Sequence, residues 1–157
     1  MEESPYAWGT SIFCDDIRFE AHGKISLMGI YQRDMIFPTP KYPLSLPKFA
    51  ILVKYIEDKG RFTDDLTLKV YFPGEAPNNP HFSRAIKRNE ASGRTRFDKY
   101  PAPEDSGPIN ISTIPLVFSP MHIAQEGYIK VRMECGNIIT KLGTLLIRAA
   151  LEEEKLT

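Results

Sequence analysis

A chain of 157 residues with 42% apolar and 25% charged side chains can bury roughly 70% of its unfolded surface in one domain, without disulfides or a structural metal. Twenty basic residues balance twenty acidic ones, so no overall field draws the chain to nucleic acid or anionic lipid, and little self-repulsion opposes a homo-oligomer. No stretch reaches the roughly 18 apolar residues of a membrane-spanning helix. The acidic start Met-Glu-Glu-Ser-Pro lacks the apolar run of a signal peptide. With only Cys14 and Cys135, this predicts a cytoplasmic protein with reduced thiols.

Apolar alternation with a period of two runs through most of the chain. Gly9 to Cys14 gives a short first strand. Lys24 to Tyr31 is apolar on both faces, as a central strand would be. Pro38, Pro40, Pro43 and Pro47 then make an extended crossing. Lys48 to Ile56 carries Phe49, Ile51, Val53 and Tyr55 on one face and Ala50, Leu52 and Ile56 on the other. Leu66, Leu68, Val70 and Phe72 alternate with Thr67, Lys69 and Tyr71, and Pro73-Gly74 ends that strand.

Residues 73–108 are polar and too long for a plain loop in a compact domain, which predicts a short helix over 82–89, a functional excursion or a disordered stretch. Ile109 to Phe118 changes phase near Pro115, which favours an edge or a bulge. Tyr128 to Glu134 and Ile138 to Ile147 form a hairpin around Gly136-Asn137, a pair suited to a type II′ turn. Ala149 to Leu156 can add a helical turn.

These elements predict an all-β antiparallel sandwich, immunoglobulin-like or Greek-key, of about seven strands over residues 1–157. A partly open barrel is the alternative. Tyr128, placed at a strand start after a crossing, suggests a tyrosine corner whose hydroxyl bonds a backbone carbonyl upstream.

The segment Phe13-Cys14-Asp15-Asp16-Ile17-Arg18, followed by Gly23-Lys24-Ile25-Ser26-Leu27-Met28-Gly29-Ile30-Tyr31, resembles an uncharacterised family of short bacterial β proteins. The likeness extends to Pro47–Val53 and to the Gly-x-Tyr hairpin of Gly127–Ile147, and leaves out 73–108. It implies a bacterial or phage source and a small β domain, and carries over no functional residue.

Several residue sets invite a chemical role. Asp15-Asp16 and Asp64-Asp65 offer paired carboxylates, but Ca²⁺ needs six or more oxygens and no spaced D-x-D pattern supplies them; ion pairs and turn caps account for both. Cys14, Asp15 and His22 have the residue types of a thiol–imidazole–carboxylate set, without an elbow or oxyanion loop around them. His81 and His122 stand apart and give no zinc spacing. No cofactor motif is present, and no catalytic or metal-binding residue is assigned.

The strongest lead is basic: Arg84, Lys87, Arg88, Arg94, Arg96 and Lys99 lie within sixteen residues, flanked by Phe82, Phe97 and Tyr100. Such a set suits an acidic protein partner, or phosphates and stacked bases, or simply keeps a long loop soluble. The expectation is a non-enzymatic module that binds a protein partner through 73–108 or an exposed sheet edge. A nucleic-acid-associated protein is the alternative, ahead of a calcium-dependent module or an enzyme.

Overall fold

A computed structural model describes residues 6–88 and 107–156. Eleven strands form among them: β1 (Ala7–Phe19), β2 (Ile25–Ile30), β3 (Asp34–Phe37), β4 (Leu44–Leu46), β5 (Phe49–Asp58), β6 (Leu66–Tyr71), β7 (Phe82–Ile86), β8 (Ile109–Phe118), β9 (Met121–Ile123), β10 (Gly127–Cys135) and β11 (Ile138–Ala149). The first sheet has the order β2-β1-β5-β8, the second β3-β11-β10-β6-β7, and β4 and β9 make a small ribbon. All pairs are antiparallel except β3 with β11. The two main sheets pack face to face over one apolar cluster, the sandwich expected from the alternation. No helix of the described residues is long and apolar enough to cross a membrane.

The core follows from the pattern. Phe49, Ile51, Val53 and Tyr55 of β5 face Leu66, Leu68 and Val70 of β6 and Ile129, Val131 and Met133 of β10, all at most 1% exposed. Near β1 and β11 the sheets approach closely because Gly9 and Gly143 have no side chains. A methyl at Gly9 would strike the Lys54 carbonyl and Leu142. Gly143, at φ +132, sits beside the β10/β11 register shift at Val131/Arg132. That bulge moves the inward set of β11 from Thr140 and Leu142 to Leu145 and Ile147.

Several expectations need correction. The first strand is thirteen residues long, reaching Phe19. The run Lys24 to Tyr31 is an edge strand: β2 pairs only with β1, and Ile25, Met28 and Ile30 are exposed. Apolar residues on both faces therefore do not make it central. The crossing through the prolines contains β3 and β4.

The segment 82–86 is a strand, because β6 offers an open edge and Phe82 and Ile86 turn inward against it. Along β8 the inward positions run unbroken through Asn110, Ser112, Ile114 and Leu116, and its register with β5 is continuous. There is no phase change at Pro115. The proline sits on an edge strand, the position in a sheet where a residue without an amide hydrogen is tolerated. The hairpin turn is as expected, with positive φ at Gly136 and not at Asn137, as is the terminal helical turn, a 3-10 segment over Glu152–Leu156.

Candidate functional site

The described members of the basic set separate. Arg84 and Lys87 are exposed at the β7 edge. Arg88 turns inward. Its guanidinium pairs with Glu57, donates from Nε to the Asp64 carbonyl at 2.8 Å, and approaches the Cys135 sulfur at 3.3 Å. Arg88 is therefore a structural anchor rather than a free cation. Arg94, Arg96, Lys99, Phe97 and Tyr100 lie outside the described residues. Phe82 packs edge-on against Phe118 at 6.1 Å, within an aromatic cluster that ties the β7 edge to β8, so its ring is not offered for stacking.

Glu57 anchors both sides of that segment. It follows Tyr55 on the core face and is 3% exposed. Tyr55 donates its hydroxyl to one carboxylate oxygen at 3.0 Å, and Arg88 and the Asn110 amide (3.4 Å) reach the other. Burial works against the Arg88 charge, but hydrogen bonding and attraction to Glu57 outweigh it, and its pKa ends above the ordinary value. Burial pushes the Cys135 thiol up, with Arg88 opposing.

The other sequence candidates are held in structural roles. Asp15 accepts from the Tyr31 hydroxyl, and Lys48 reaches Asp16. Asp65 accepts the Arg88 amide at 3.0 Å. The two aspartate pairs thus sit at opposite ends of β5. Cys14 is fully buried, and burial raises its pKa. His22 lies in the exposed turn beyond Phe19, roughly 17 Å of strand away, so no thiol–imidazole pair forms. Cys14 and Cys135 are free and belong to different sheets. His81 stacks on Phe72 at 3.9 Å and contacts Glu75 at 3.0 Å. Tyr128 makes no corner: it is 51% exposed and lines a groove on the second sheet.

The surface that sequence reasoning missed is the outer face of the first sheet. Register aligns three strands into rows. Trp8, Ile56 and Ile111 form one row and Ile12, Leu52 and Pro115 another; beyond them Val117 and Ile30 flank Cys14 and Ala50, which are fully buried in a small cluster with Ile17. Between the first two rows lies Thr10, Lys54 and Thr113. Trp8 is 46% exposed, Ile111 51%, Val117 47% and Ile30 51%.

The exposed members make an apolar patch on the order of a few hundred Å², interrupted by the Lys54 row, a size that on soluble monomers often marks a contact surface. Lys54 is its central charged group, is exposed, and has no ion-pair partner among the described residues. The signal was present in the alternation of β8 and β5, where both phases are apolar. No family model matches the chain, and neither does any curated protein or solved structure.

Proposed function

We propose that the protein is a non-enzymatic interaction module of the cytoplasm, which docks the outer face of its first sheet onto a partner protein. The observation that carries this is the pair of apolar rows, one of Trp8, Ile56 and Ile111 and one of Ile12, Leu52 and Pro115, on either side of Lys54. Covering that face removes Trp8, Ile111 and Val117 from water, at about 25 cal/mol per Å² of apolar area. Covering it also desolvates the Lys54 ammonium, which is costly unless a carboxylate meets it. The fitting partner therefore presents an apolar surface containing an acidic side chain.

A second copy of this chain fits less well. The face has no carboxylate within its central rows to meet the partner copy's Lys54. Pro115 also makes β8 a poor edge for strand addition, which favours contact through the face. The two free thiols suit a reducing compartment.

The test is affinity capture from the source cells, followed by binding of the purified captured protein to wild type, Ile111→Asp and Lys54→Glu. The expected result is one partner whose affinity falls at least about tenfold with either change and tolerates moderate salt. Equal binding by all three forms contradicts the proposal. A nucleic acid retained with a steep salt dependence would favour Arg84, Lys87 and the neighbouring basic segment instead. Concentration-dependent dimers abolished by Ile111→Asp would make the occupant a second copy.

A further inference from the structure

The second sheet carries a groove of about 340 Å³ on its outer face. Its floor is built by strand register. Tyr71 of β6 lies directly across from Lys130 of β10, and Tyr128 stands one same-face position away from Lys130. The lysine is thus bracketed by two tyrosines, each about 5–7 Å away along or across the sheet.

One wall is the loop after β6. The Tyr71 hydroxyl donates to the Pro77 carbonyl at 3.0 Å and so fixes its ring beneath that loop. Glu75 accepts the Phe72 amide at 2.7 Å and contacts His81, which pins the loop to the sheet. The other wall is the loop before β10. Gln125 lies so close to Gly74, itself at φ +88, that a side chain there would strike it. The first wall is therefore held in place before any ligand arrives, and the second lies against it.

The charges of the lining are unequally satisfied. Glu134 pairs with Lys69 at 2.7 Å, Glu75 is engaged as above, Glu126 accepts the Ala149 amide at 3.3 Å, and the second cation of the lining, Arg132, donates to the Val131 carbonyl at 2.8 Å. Lys130 is exposed and has no ion-pair or hydrogen-bond partner among the described residues. What the groove offers is an unpaired ammonium between aromatic and proline surfaces. Its volume falls at the lower end of the small-molecule range, too small to enclose a polymer.

We propose that this groove binds a small carboxylic acid with a flat apolar body. The carboxylate meets Lys130 and the ring lies against Tyr71 and Tyr128. The site is on the opposite sheet from the docking face and does not depend on it.

Titration of the full-length ¹⁵N-labelled protein with phenylacetate tests this, with phenylacetamide as the uncharged analogue. Saturable shifts are expected at the amides of 71–77 and 125–132, with the amide analogue at least about tenfold weaker. Lys130→Met should lose phenylacetate to a similar degree while keeping its spectral dispersion, and Tyr128→Leu should weaken acid and amide alike. Lys54→Met, on the other sheet, should leave the titration unchanged. Shifts that fail to saturate by about 10 mM phenylacetate, equal binding of acid and amide, or full binding by Lys130→Met would each overturn it.

Discussion

Glu57 continues the inward series Phe49, Ile51, Val53 and Tyr55, and alternation alone carries its charge into the core. What makes this tolerable is convergence: Tyr55, Arg88 and Asn110 all reach its carboxylate, from three different strands or loops. Removing one partner of such a pair leaves the other charge buried and unmatched. Glu57→Gln should therefore cost about 3 kcal/mol, the low end for a buried pair because the Arg88 side chain is 20% exposed. Urea unfolding midpoints check this, and a cost below about 1 kcal/mol, as for a surface pair, would show that the pair is not structural.

The two thiols give a second test at this scale. Cys14 and Cys135 are buried with raised pKa values, and the thiolate is the reactive form. A thiol reagent at neutral pH should label neither quickly in the native protein and both after unfolding. Fast native labelling of either would contradict the packing.

Among the elements, β11 shows how a glycine sets the phase of a strand. Gly143 at φ +132 accompanies the bulge that switches the inward residues from Leu142 to Leu145. Gly143→Ala should be destabilising, by about 1–3 kcal/mol, because a side chain is strained at that φ even though the space beside Ser11 would admit a methyl; thermal unfolding measures it.

The C-terminal 3-10 turn depends on charge. Arg148 holds both Glu154 oxygens at 2.7 Å and Asp34 at 2.7 Å. The Arg148 hydrogen bonds depress the Glu154 pKa to about 2 from 4.5. A depressed carboxylate contributes stability above its unfolded pKa and loses it as pH falls through the folded one. The turn should stay docked above about pH 4.5 and release as pH approaches 2. Amide exchange at 151–154 across that window should rise, and no change would contradict the link.

The elements also show what the sequence disclosed. The strands β6 and β10 were legible because each has one apolar face, and alternation then fixes which residues are inside. Strand β2 misled because its second apolar face is an exposed surface, and hydrophobicity does not distinguish a face that is covered from one left open. Strand β7 was hidden because Ser83-Arg84-Ala85 has no apolar alternation; only the open edge of β6 makes it a strand. The inward turn of Arg88 depends on Glu57, thirty-one residues earlier, and no local pattern reports such a pairing.

For the whole molecule, the two sheets differ on their outer sides. The second sheet shows charged and tyrosine side chains around the Lys130 groove, while the first shows Trp8, Ile12, Leu52, Ile111 and Val117. A sandwich that needed only to fold would gain solubility from polar residues there.

The most direct measurement is hydrogen exchange on the purified complex of this chain with its captured partner, compared with the free chain. Protection is expected on β1, β5 and β8, with the second sheet little changed, and with the same strands unprotected when Ile111→Asp is used. Protection confined to β6, β7 and β10, or none on the first sheet, would contradict the docking face.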